Sequence, residues 1–223
     1  MSTAQLAALL VWGGVVGLDL VSVAQVMISR PFVAGTVAGF LIGDPGAGAM
    51  VGATLELFAL DLLPIGAVRY PDYGPAAVAG AATAAGAPGI LGLGPGVAVG
   101  LVVAYAGEWA IQTMRKLNSR DVQRLRGGLD AGDIAVIRHV HLRGILRDTV
   151  RALGVTSLGL AFAIVTRRWL PLGVRGVVLV STVSVGAALA VAIAGALRLG
   201  GRGKGSAWLA AGLVIGGLWV LVR

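Results

Sequence analysis

The sequence predicts an all-α integral membrane protein, a multi-span bundle with broken helices. Three observations carry this. Of 223 residues, 57% are hydrophobic and 13% charged, against about 25% charged in an average soluble domain, and the mean hydropathy is +0.90. Several uncharged stretches reach the roughly 20 residues that cross about 30 Å of hydrocarbon as a helix. These runs are continuous, whereas the strands of a membrane barrel alternate apolar and polar residues. Glycine, at 36 residues, fits the same class. Small residues let helices approach closely in lipid and allow irregular backbone where protein surrounds it.

The first apolar segment runs from about Gln5 to Ile28, interrupted by Asp19 and Gln25. No positive charge precedes it and no small-residue cleavage site follows, so it reads as a retained helix and not a signal peptide. Arg30-Pro31 ends it, because proline disfavours helical geometry in the residue before it and is accepted at the start of a new helix. Two shorter runs follow, Phe32 to Ile42 and Ala47 to Leu63, separated by Gly43-Asp44-Pro45-Gly46. The first is too short to span and reads as a re-entrant or interfacial segment. The breaker-rich stretch from Pro64 to Pro75 has apolar sequence on both sides; irregular backbone at membrane depth needs a surrounding of protein or a watery cavity. Ala76 to Ala87 and Gly89 to Thr113, with a break at Gly94-Pro95, complete an N-terminal membrane half, residues 1–114.

Residues 115–151 hold nine basic and four acidic residues. Arg115 to Asp133 reads as a solvated loop. From Ile134 an apolar stripe opposes Arg138, Arg143, Arg147 and Arg151, the pattern of a helix at the cytoplasmic interface leading into the next span. Residues 152–223 supply spans near 152–165, 176–197 and 206–222, with basic connectors at Arg167, Arg168 and Arg175 and at Arg198, Arg202 and Lys204. The net charge is −4 over residues 1–114 and +12 over 115–223. An excess confined to segments beside hydrophobic spans follows the retention of Lys and Arg on the cytoplasmic side, and argues against nucleic acid as a partner.

Ionisable groups within apolar sequence usually face a cavity or a partner. Glu56, in the run from Val51 to Leu60, is a candidate acceptor for sugar hydroxyls, or a structural cap on a broken helix. Asp72, in Pro71-Asp72-Tyr73-Gly74, is a second candidate, with an Asx-turn as the alternative. Asp61 and Arg69 read as a structural ion pair. His139 and His141 do not share a helix face, which disfavours a metal site, and they read as solvated surface. Absence of cysteine removes disulfides and thiolate ligands, and no phosphate-binding loop or serine-nucleophile motif is present. No cofactor is expected.

Ser29-Arg30-Pro31-Phe32, then Gly39-Phe40-Leu41-Ile42-Gly43-Asp44, Gly52-Ala53-Thr54-Leu55-Glu56, and Ile65-Gly66-Ala67 with Pro71-Asp72 resemble, in order and spacing, the mannose-family IIC component of the bacterial phosphotransferase system. The resemblance is strongest over residues 10–87 and weaker after Arg115. It implies a multi-pass inner-membrane subunit that forms a sugar path with a IID membrane partner, while soluble IIA and IIB proteins relay phosphate from phosphoenolpyruvate to a hexose-like sugar. The IIC subunit carries no phosphorylated histidine of its own. The implied fold is half of an inverted-repeat IIC–IID arrangement with re-entrant hairpins, assembled as a trimer of pairs and surrounded by lipid. Glu56 and Asp72 occupy motif positions and take the expected sugar-binding role, with Gln25. The family's acidic pair before the Arg-Pro motif stands here as Ala24-Gln25, and its Asn before Ile-Gly as Pro64. A non-transporting membrane scaffold or regulator on the same fold is the alternative reading.

Overall fold

The computed structural model describes residues 1–23, 25–60, 68–87, 89–169 and 173–222, mainly by backbone alone beyond residue 195. The described residues are helical, without strands. In chain order the helices are α1 (Thr3–Asp19), α2 (Pro31–Ile42), α3 (Pro45–Ala59), α4 (Tyr73–Ala84), α5 (Leu93–Arg124), entered through a 3-10 turn at Gly89–Gly92, α6 (Arg126–Asp130), α7 (Ile134–Trp169) and α8 (Val174–Val222). Among the described residues, three stretches are long and apolar enough to cross a membrane: Gly89–Arg124, Ile134–Trp169 and Val174–Gly195.

Local chemistry sets most boundaries. Ser2 and Gln5 form a reciprocal capping box at the start of α1, satisfying two backbone donors that the first turn leaves open. Pro31 and Pro45 occupy the first turns of α2 and α3, where the missing N–H costs nothing. The Asp44 side chain accepts from the Ala47 backbone N–H at 3.1 Å, capping α3. Gly43, at φ +83°, supplies the left-handed residue that ends α2. Hence α2 and α3 fold back as a helical hairpin. A Cβ on Gly48 would lie 2.3 Å from the Gly35 carbonyl oxygen, so only glycine permits this approach.

The centre of the bundle is α4, which packs against α1, α2, α3, α5 and α7. All its residues from Gly74 to Ala84 are buried. Its twelve residues extend about 18 Å at 1.5 Å per residue, short of a hydrocarbon core. Its Ala- and Gly-rich composition lets longer helices close around it. The apolar core joins Leu9 and Val16 of α1, Val51 and Leu55 of α3, Val78 of α4 and Val97 of α5.

Four elements depart from the sequence reading. The first helix stops at Asp19 and not near Ile28, because the Asp19 carboxylate accepts the backbone N–H groups of Val26 (2.8 Å) and Ser29 (3.0 Å) and folds the chain back. Gly94-Pro95 starts α5 and does not interrupt it; Pro95 sits in the first turn. The expected solvated loop from Arg115 is helical through Arg124 and again over Arg126–Asp130, since Lys, Arg, Leu and Gln are good helix formers and the first glycines come at 127 and 128. The expected connector around 198–204 lies within the continuous helix α8; it holds no proline.

The amphipathic reading of α7 holds for Arg138 and Arg143, which are exposed, and fails at Arg151. Ile134, Ile137 and Leu146 of the apolar stripe are 80%, 46% and 62% exposed, whereas Arg151 is buried. In lipid an apolar face can point outward, and the polar groups must find partners inside the protein.

Candidate functional site

At one end of the bundle, where α1 ends and α2 and α4 begin, a cavity of about 380 Å³ opens between two irregular segments. One wall is the α1–α2 connection, with Gln25, Met27, Ser29 and Arg30. The other is the segment leading into α4, with Tyr70, Pro71 and Tyr73. Asp19 and Leu20 of α1 and Ala59 at the end of α3 complete the lining. Such a volume lies within the roughly 300–1,000 Å³ of small-molecule sites.

Each wall is held from behind. The buried Asp19 carboxylate takes the two backbone donors described above. It thereby fixes a loop in which Gln25 and Met27 adopt φ +51° and +68°, a region that residues with a Cβ rarely occupy. The opposite wall is held by two arginines. Arg115 of α5 donates to the Val68 carbonyl (3.0 Å) and the Tyr70 hydroxyl (3.2 Å), with its guanidinium 5.2 Å from the Tyr70 ring centre. Arg151 of α7 pairs with Asp72, whose backbone N–H donates to the Ala104 carbonyl at 2.9 Å. Arg151 also donates to Asp148 (2.6 Å) and to the Gly17 carbonyl (2.7 Å), and Ser22 donates to Asp148.

The candidate residues take different places. Gln25 lines the cavity, and its amide donates to the Val21 carbonyl at 3.0 Å. Glu56 stands behind it, pairing with the cavity residue Arg30 and accepting the Phe32 backbone N–H at 3.2 Å. The Asp72 side chain is fully buried in the Arg151 cluster, while its neighbours Pro71 and Tyr73 face the cavity. Glu56 and Asp72 therefore support opposite walls and do not meet in one space. Arg69 is exposed; its expected partner Asp61, like Ala24 and Pro64, lies outside the described residues. His139 and His141 are exposed on α7.

Sequence reasoning noted Asp19 and the motif residue Arg30 without assigning either to the site, although Asp19 and Gln25 line one cavity, and it missed Arg115, Asp148 and Arg151. A signal existed for two of them: Asp148 and Arg151 are three residues apart, one helical turn, and an acidic–basic pair at that spacing faces one direction.

The chain is thus a helical bundle of membrane-protein type with short, interrupted helices and a cavity at one end. Comparison with known proteins narrows the class. The family model of the sorbose-specific IIC component of the phosphotransferase system matches residues 3–163, and the chain belongs to this family, whose members are proteins of the bacterial inner membrane. Among curated relatives it is 35% identical over 108 residues to the sorbose-specific EIIC component of Lacticaseibacillus casei, covering 48% of this chain and 38% of the relative. It is 29% identical over 153 residues to the fructose permease IIC component of Bacillus subtilis (strain 168), covering 69% and 56%. The chain thus spans about half the length of the curated relatives it matches. Two solved structures share the fold. One, described as the mannose transporter ManYZ in complex with microcin E492, gives a TM-score of 0.61 at 21% identity, covering 97% of this chain and 87% of that one. The other, described as a membrane protein, gives 0.60 at 20% identity, covering 100% and 97%.

Proposed function

We propose that this chain is the sugar-conducting IIC subunit of a phosphoenolpyruvate-dependent phosphotransferase system, working with a IID membrane subunit and soluble IIA and IIB phosphocarriers. The observation that carries the proposal is the cavity between the α1–α2 loop and the 70–74 segment, walled by family-motif residues. Ser29, Arg30 and Pro31 belong to one motif and Pro71 to another, and Glu56 of a third holds Arg30. Arg30, Ser29 and Gln25 offer hydroxyl-binding groups, and Tyr70 and Tyr73 contribute to the wall beside them. The cavity lies at the bundle end from which Arg115 and the basic half of α7 emerge. That end is cytoplasmic on the positive-inside rule, the side on which a phosphocarrier would meet the sugar. In this reading the α2–α3 hairpin is re-entrant, the chain is one half of the inverted-repeat pair with IID, and the pairs assemble as trimers.

Glu56→Gln tests the site. It keeps the shape but replaces a charged acceptor, worth about 1.5–3 kcal/mol per hydrogen bond, by a neutral one worth about 1. Arg30 loses its hold, and sugar binding falls about 3- to 30-fold, with little change in complex yield with the partner subunit. Binding of mannose, fructose and sorbose and yield of the complex are measured in parallel. A wild-type chain that assembles with a IID subunit and binds none of these sugars returns the scaffold reading instead.

A further inference from the structure

We propose that Arg151 is a positioning residue for the cavity, one guanidinium that fixes both of the chain segments walling it. Its relevance to sugar rests on the function proposed above; its geometry does not.

The three donor directions of the guanidinium go to three different parts of the chain. One nitrogen pairs with Asp72, which sits between the lining residues Pro71 and Tyr73. A second donates at 2.7 Å to the carbonyl of Gly17, two residues before Asp19. Asp19 in turn holds Val26 and Ser29 of the opposite wall. The third, Nε, donates at 2.6 Å to Asp148 on the same helix, and Asp148 is bonded by Ser22, just past α1. The side chains of Arg151, Asp72 and Asp148 are only 4%, 0% and 0% exposed. In such surroundings a charge stays only when its partners are fixed. A lysine could serve one of these partners as a point charge, but only the planar fork of arginine reaches in three fixed directions at once.

The α1–α2 wall needs this support. Its Gln25 and Met27 occupy left-handed backbone conformations, which persist where neighbouring structure over-determines them. The carboxylate that holds this loop hangs from the last turn of α1, and that turn is what Arg151 grips through Gly17. Asp72 keeps one carboxylate oxygen buried without a partner among the described residues. Its side chain is thus placed by Arg151 and by the Ala104 contact of its own backbone, without a saturated network of its own.

The test uses the full chain in lipid nanodiscs. The sequence contains no cysteine, so the exposed Met27 and Val68, one on each wall, take spin labels after replacement by cysteine. Arg151→Gln broadens the Met27–Val68 distance distribution and lowers sugar affinity at least tenfold. Arg151→Lys falls between it and the parent on both readouts. Arg147→Gln, one turn away on α7 and bonded to Asn118 and Asp121, leaves the distribution unchanged. If Arg151→Gln does not fold, Asp72→Asn, of equal shape, gives the same broadening. An unchanged distribution in the Arg151 and Asp72 variants, or equal broadening in Arg147→Gln, overturns the proposal. Broadening in a chain whose parent binds no sugar upholds the positioning role and refutes the sugar reading alone.

Discussion

Alanine at Gly107 is a decisive perturbation of the contact between α5 and the cavity wall. A Cβ added there lies 2.4 Å from the Asp72 Cβ and 3.3 Å from its carboxylate carbon. Carbon atoms rest at about 3.5–4.0 Å, so α5 and the 70–74 segment must part by roughly 1 Å. The clash is with a Cβ anchored on backbone, and the Asp72–Ala104 hydrogen bond at 2.9 Å ties the two elements together at the same level. Overpacking of this kind costs about 1–3 kcal/mol. Replacing a helical glycine by alanine also favours the helix by up to about 1 kcal/mol, which would mask part of the loss. Gly154 supplies the reference, since it lies within α7 and an added Cβ there meets nothing within 4 Å. The difference between Gly107→Ala and Gly154→Ala cancels the propensity gain and isolates the overlap, at about 1–3 kcal/mol. Equilibrium unfolding of both variants in mixed micelles measures it. Equal stability of the two would refute the close approach of α5 to Asp72, and with it the account of how that wall is built.

Asp44 links the hairpin tip to the end of α4, accepting from Ala47 and, at 2.9 Å, from the backbone N–H of Gly86. It lies between helices, outside the candidate spans, and these two hydrogen bonds, that from Gly86 first, hold its pKa below the ordinary aspartate value of 3.8. Its stabilising contribution is therefore complete above about pH 4 and is lost as the pH falls through the depressed value. Asp44→Ala removes the cap at a cost of about 0.5–2 kcal/mol at neutral pH, and unfolding titrations should show the variant losing this part of the acid sensitivity. The positive-inside rule predicts that the basic stretch around Ser119 faces the cytoplasm. A cysteine replacing Ser119 therefore resists an impermeant thiol reagent added outside intact cells, and ready labelling would reverse the orientation.

The parts of the fold set by local chemistry were legible in the sequence. Pro31, Pro45 and Asp44 announce helix starts, the breakers around Pro71 announce the irregular backbone of residues 68–72, and the short apolar segments give α2 and α3. What escaped depends on contacts between distant residues. Nothing near Asp19 reveals that its carboxylate will take backbone donors seven and ten residues ahead and end the helix. Arg151 was read with Arg138, Arg143 and Arg147 as one charged face turned to water. That reading holds for the exposed Arg138 and Arg143 and fails at Arg151, whose partners Asp72 and the Gly17 carbonyl lie on distant segments of the chain. Glu56 and Asp72 were recognised as special, but their partners, Arg30 at 26 residues' separation and Arg151 at 79, are invisible to any local pattern. They brace the site from opposite sides instead of lining it together.

The uninterrupted course of α7 has a mechanical consequence. From Ile134 to Arg151 it is a single stiff rod of about 25 Å at 1.5 Å per residue, tied to α5 through Arg143 and Arg147 on Asp121 and, deeper in, to the cavity walls through Arg151. Any shift of this rod would carry the guanidinium with it relative to both walls of the cavity, with no loop in between to absorb the motion. The set of the helix and the shape of the cavity are thus geared to each other through one side chain.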